Sequence, residues 1–235
     1  MRKTSFNKEV FLFCIMDKKQ LIALTISFVK ETLKEAEGGH DWFHIERVHN
    51  NAKLIAEGEN VNLFIVELGA LLHDIADAKF HHGDENIGPK KAAAFLRGLK
   101  VEEEIIEHIE NIIRYISFKT SLDQNDVNKF QSEELKVIQD ADRLDAIGAI
   151  GIARAFNYGG FKNRSLYDPN IKPTLHQDKE SYKNSKAPTI NHFYEKLLLL
   201  KDKMNTKTAQ KIAVKRHEFM ELYLQQFYDE WNGKA

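Results

Sequence analysis

The chain has 235 residues, enough for one large domain or two small ones, with 34 basic against 35 acidic residues and a formal net charge of −1. That balance excludes a global positive field for nucleic acid and a polyacidic tail for a basic partner, so a charged substrate must be met locally. Cys14 is the only cysteine, which excludes an internal disulfide and a cysteine-based zinc site, fits a reducing cytoplasm, and leaves any metal to histidines and carboxylates.

Residues 1–16, MRKTSFNKEVFLFCIM, have a basic start and an apolar run. Glu9 interrupts them and no small-residue cleavage site follows, so the segment does not read as a secretory signal. Amphipathic periodicity begins with MDKKQLIALTISFVKETL, which suggests Met16 as an alternative start and residues 1–16 as an extension before a domain spanning 17–235. No apolar run approaches the roughly 18 residues of a membrane span, so no membrane is expected as a partner, and the balanced charge gives no reason to expect nucleic acid.

Helical periodicity recurs over 17–36, 41–58, 61–77, 88–99, 101–118, 131–157, 188–204 and 206–231, and no stretch alternates like a strand bounded by hairpin turns. The expected fold is all-α, a single compact multi-helix domain. Gly38 and Gly39 break the first helix, Asp41 is a plausible N-cap of the second, Gly58 lies near its end, and Pro89 sits where a helix start tolerates a missing N–H. The interval 158–188 carries three of the four prolines and little periodicity, as a functional lid or a long excursion would.

Three places along this pattern carry chemistry. In ALLHDIADAKFHH, residues 70–82, His73 and Asp74 stand at the end of an apolar helix, where an ionised carboxylate costs several kcal/mol unless it is paired or bound to a cation. In GGHDWFHIERVHNNA, residues 38–52, His44 and Arg47 share a helical face, His40 lies near the helix start, and His49 is rotated away. In LKVIQDADRLDAIGAIGIARAF, residues 135–156, small residues at 146, 148, 149, 151 and 153 suggest a central helix bearing Asp140, Asp142 and Asp145. Ideal geometry separates Asp140 from Asp142 by about 200° and Asp142 from Asp145 by about 60°, so all three cannot face one ion. Asp140 is placed to pair with Arg143 as a structural contact.

With His44, then His73-Asp74, then Asp142 in order, the sequence resembles the HD-domain superfamily of metal-dependent phosphohydrolases from about residue 20 to residue 160. GHDWFHIERV, LLHDIADAKF and VIQDADRLDAIGAIGIARAF resemble a bacterial and fungal branch of HD hydrolases, some of whose members are nucleoside triphosphate pyrophosphohydrolases. The resemblance implies an HD-domain fold and His44, His73, Asp74 and Asp142 as metal ligands. His108 is the nearest candidate for a second metal, and a single divalent ion is the expectation. Two imidazoles and two carboxylates suit Mn²⁺, Fe²⁺, Co²⁺, Ni²⁺ or Zn²⁺, and Mg²⁺ less well. On a six-coordinate ion, four protein donors leave room for water and a phosphoryl oxygen side by side.

Asp77 falls angularly between His73 and Asp74 on the same helix and is the candidate for orienting water or taking its proton. Lys79 and Arg47 are candidates for neutralising phosphate oxygens. His40, His81 and Arg154 are further candidates for substrate contact, and at least one of His81 and His82 is expected to be solvated. The expected activity is hydrolysis of a nucleotide, a triphosphate to monophosphate and pyrophosphate. The alternatives are a 5′-nucleotidase or other phosphomonoesterase on the same site, and a catalytically silent nucleotide-binding signalling module. The pattern leaves oligomeric state and the preferred base or sugar open.

Overall fold

The computed structural model describes residues 17–36, 39–76, 86–116, 130–174 and 187–234. Helices α1 (Lys18–Thr32), α2 (Trp42–Ala56), α3 (Leu63–Leu72), α4 (Ile87–Gly98) and α5 (Glu103–Tyr115) are followed by α6 (Glu133–Asp145) and α7 (Gly148–Phe161). The chain closes with α8 (Thr189–Glu195), a 3₁₀ helix (Leu197–Lys203) and α9 (Lys207–Trp231). No strand occurs among the described residues, and none of their helices is long and apolar enough to cross a membrane.

Local chemistry starts half of these helices. Asp17 forms a capping box with Gln20, and Asp41, Asn62, Ser132 and Thr206 each accept a backbone N–H from the first turn that follows them. Each such cap satisfies a donor that the helix itself cannot, for about 1 kcal/mol. Packing then selects the faces. α5 buries Ile106, Ile109, Ile112 and Ile113, a stripe at helical spacing.

α3 holds the centre of the domain. Leu68, Ala70, Leu71 and Leu72 have no solvent exposure, and the helix packs against α1, α2, α5 and α6. Gly69 permits this crowding, because a Cβ there would lie 2.5 Å from the Ile138 side chain of α6. The small-residue run after Asp145 therefore does not mark a central helix. The expected single helix over 131–157 is two helices, broken at Ala146 and Ile147. Gly148 opens the second with φ of +75°, a conformation that side chains rarely adopt, and its Cβ position is closed off at 3.0 Å by Arg216. The helix expected over 61–77 ends its regular turns at Leu72, with His73 as its C-cap. The helix expected over 188–204 changes to 3₁₀ geometry after Lys196. Within the aperiodic interval, α7 continues to Phe161, and two backbone bonds, Thr189 N–H to the Ser165 carbonyl and Ile190 N–H to the Leu166 carbonyl, pin the segment that follows.

The C-terminal helices lock onto α6. Asp140, fully buried, accepts from the Asn205 and Thr206 backbone N–H groups, the Thr206 hydroxyl, the Asn205 amide and Arg143. One carboxylate thereby joins the start of α9 to the helix that carries Asp142.

Candidate metal centre

The N-terminal turn of α2, the C-terminal end of α3 and the C-terminal turns of α6 converge. Asp41 caps α2 by accepting the His44 backbone N–H at 2.9 Å, which sets His44 in the first turn, and Arg47 follows one turn later. His73 and Asp74 are placed where α3 unwinds, so both side chains leave the apolar helix together. On α6, Asp142 and Asp145 lie on the face toward α2, while Asp140 points away to α9.

One ligand atom each from His44, His73 and Asp74 lie within 4.8 Å of one another. Bonds of about 2.0–2.2 Å to a first-row ion put its ligands roughly 3–4 Å apart, so this group closes on an ion with small side-chain adjustments. Asp142 Oδ1 lies 3.5 Å from His44 Nε2, and its side chain, 46% exposed, borders the open side. The donor set is mixed N and O, which suits divalent transition metals.

The hydrogen bonds prepare both imidazoles for that task. His44, 2% exposed, donates from Nδ1 to Asp145 Oδ2 at 2.8 Å. His73 donates from Nδ1 to the Ala70 carbonyl at 2.8 Å. These partners accept only, so each ring carries its proton on Nδ1 and keeps the Nε2 lone pair for a cation. Burial holds His73 below the ordinary imidazole range against the pull of Asp74 and Asp142, which favours the neutral, ligating form. For Asp74, burial works against the charge, but the His40 bond and the nearby imidazoles outweigh it, and the carboxyl is held below its usual range.

Asp145 is the residue whose importance spacing alone did not reveal. It is 1% exposed and carries no direct role in the expected ligand set. Arg47 grips it with Nε at 2.6 Å and a terminal nitrogen at 3.0 Å, and Arg154 donates to the same carboxylate and to the Gly39 carbonyl. Burial disfavours its charge, yet His44 and the two arginines together hold it far below the ordinary carboxylate range. Its position three residues after Asp142, on nearly the same face, was the available signal.

Three of the residues expected to contact substrate have side-chain partners within the site. Arg47 and Arg154 turn to Asp145, because a buried anion attracts the nearest guanidiniums. His40 hydrogen-bonds Asp74 through Nδ1. Arg143 stays with Asp140 and the Lys203 carbonyl. His49 pairs with Glu67, and His108 contacts Ser132 and lies 3.6 Å from Glu134, so neither joins the His44 group. Asp77, Lys79, His81 and His82 lie outside the described residues.

Comparison with known proteins agrees with this architecture. A family profile described as HD domain matches residues 42–147, the segment running from the first turn of α2 to the end of α6. The chain is 38% identical over 211 residues to the Bacillus subtilis (strain 168) protein YpgQ, covering 88% of this chain and 92% of that one. The structure of an HD-superfamily hydrolase from Bacillus thuringiensis superposes with a TM-score of 0.74 at 45% identity, covering 93% of this chain and 100% of the other. The crystal structure of Bacillus subtilis YpgQ in complex with ADP superposes with a TM-score of 0.71 at 37% identity, covering 92% and 97%. The chain belongs to the HD domain family, the superfamily of metal-dependent phosphohydrolases.

Proposed function

We propose that this protein hydrolyses nucleotides, converting a nucleoside triphosphate to its monophosphate and pyrophosphate, with His44, His73, Asp74 and Asp142 holding one divalent ion. The observation that carries the reading is the His44, His73 and Asp74 group with Asp142 beside it. A divalent ion in this pocket supplies a Lewis acid and makes water acidic enough to furnish a nucleophile near neutral pH.

The chain's own side chains do the rest. Asp74 and Asp142 balance the ion's charge, and the Nδ1 bonds to Asp145 and Ala70 keep both imidazoles in the ligating tautomer. His40 holds one Asp74 oxygen, which restrains the carboxylate. Asp77 is the proposed acceptor of the water proton and Lys79 the proposed cation for phosphate oxygens. In the reaction, water oxygen bonds to the α-phosphorus, the α–β anhydride P–O bond breaks, and pyrophosphate departs with its bonding electron pair. Nucleotide as the ligand class is supported by the ADP complex of the YpgQ relative.

A panel of ribo- and deoxyribonucleotides with Mn²⁺, scored separately for pyrophosphate and orthophosphate, tests the reading. Pyrophosphate released in step with monophosphate is the expected result. Orthophosphate alone would instead indicate a phosphomonoesterase, and binding without turnover a silent nucleotide-binding module.

A further inference from the structure

Resting on the four-ligand reading, we infer that Arg154 is a positioning residue for the metal site: by holding the Gly39 carbonyl it fixes the turn that carries His40, and His40 in turn holds the ligand Asp74. Arg154 stands on α7, outside the segment matched by the HD profile and on none of the elements that supply the four ligands. Its guanidinium divides between two places. Nη1 donates to the Asp145 carboxylate and, at 3.3 Å, to the Asp145 carbonyl, while Nη2 donates to the Gly39 carbonyl at 3.0 Å. The next residue, His40, bonds Asp74 Oδ2 through Nδ1. A bond made by α7 is thus one residue away from a bond made to a ligand.

The turn is anchored on both sides of His40. After it, the Asp41 carboxylate accepts the His44 N–H at 2.9 Å and the Asp41 carbonyl accepts the Ile45 N–H at 3.3 Å, which ties that end to α2. Before it stands Gly39, where a Cβ would meet no atom within 4 Å, so side-chain packing does not wedge the turn there and the carbonyl bond to Arg154 is the restraint. The His40 side chain is itself 35% exposed, and its aim at Asp74 depends on where the backbone puts it. Arg47 already grips both Asp145 oxygens, so neutralising that carboxylate does not explain why Arg154 reaches past it to Gly39. A planar guanidinium can bridge two acceptors in fixed directions, whereas an ammonium supplies the charge without the fork. Arg154→Lys therefore keeps a cation beside Asp145 and removes the bridge.

The test uses full-length protein stripped of metal. Mn²⁺ affinity is measured by calorimetry for the wild type, Arg154→Lys, His40→Ala and the double variant, and the ring-nitrogen resonances of His40 are recorded in metal-free wild type and Arg154→Lys. Losing an outer partner of a metal ligand lowers affinity by about ten- to a hundredfold, so His40→Ala should fall in that range and Arg154→Lys should lose about tenfold. Because Arg154 acts through His40, the losses should not multiply: the double variant binds Mn²⁺ as weakly as His40→Ala and no more weakly. In metal-free Arg154→Lys the His40 resonances should move while the methyl resonances of the buried α3 and α5 side chains stay in place. Losses that multiply would route Arg154 through Asp145 and His44 and overturn the assignment. Unchanged Mn²⁺ affinity in either single variant, unmoved His40 resonances, or displaced core resonances would overturn it too. If the wild type binds no Mn²⁺, the four-ligand reading fails, while the His40 resonances still decide whether Arg154 holds the turn.

Discussion

Asp145 accepts from one imidazole and two guanidiniums while almost wholly buried, so its charge and theirs depend on each other. Replacing it by Asn leaves two arginines without their anion, and breaking a buried pair of this kind costs about 3–5 kcal/mol at pH 7. The same change loosens His44, and loss of such an outer partner lowers metal affinity by about ten- to a hundredfold. The pH dependence has a definite sign. The folded carboxyl is held far below its unfolded value, so its contribution is fully present above about pH 4 and is lost as pH falls below that toward the folded value. Urea midpoints of wild type and Asp145→Asn should therefore differ by a constant gap between pH 5 and 8 and converge below about pH 4. A gap that instead widened in acid would contradict this account of Asp145.

Asp140 offers the contrasting case. It shares a helix with Asp142 but serves Asn205, Thr206 and Arg143. Asp140→Ala leaves buried donors without an acceptor and should destabilise the fold by about 2–4 kcal/mol, read as a fall in melting temperature with bound metal unchanged. Equal loss of metal in Asp140→Ala and Asp142→Ala would show that the wrong carboxylate has been placed at the ion.

At the scale of elements, the break between α6 and α7 sets the site. Because the chain turns at Ala146 and Ile147, Arg154 on α7 comes back to Asp145 on α6. Gly148 makes that turn possible, and Gly148→Ala should cost about 1–3 kcal/mol from its positive φ and the contact with Arg216. Thermal unfolding would measure it, and an unchanged melting temperature would mean that the turn relaxes freely. Most helices were legible in the sequence, because a cap such as Asp41 and apolar stripes such as Ile106, Ile109 and Ile113 are local signals. The break at Gly148 was not, since a glycine in a run of small residues reads equally well as a close helix contact. The opposite orientations of Asp140 and Asp142 followed from helical geometry alone. The pairing of Arg47 and Arg154 with Asp145 did not, because Arg47 is 98 positions away on another helix and Arg154, 9 positions away, reaches it only across the break at Ala146 and Ile147.

Across the whole molecule, the HD segment supplies the ligand group and the C-terminal helices complete its surroundings. Asp140 fastens the start of α9 to α6, and Arg216 of α9 donates to the Leu144 carbonyl and to Asn51. A metal binding only the folded arrangement stabilises all of these helices together. At a hundredfold excess over its dissociation constant, Mn²⁺ should add about 2.7 kcal/mol, which for a chain of this size is a rise of roughly 5–10 °C in melting temperature, reversed by a chelator. The central claim is that His44, His73, Asp74 and Asp142 form one metal site. Calorimetric titration of chelator-stripped wild type and Asp74→Ala with Mn²⁺ decides it: one ion should bind per chain of the wild type and none to the variant, whereas equal binding by the two proteins, or none by the wild type, would rule the site out.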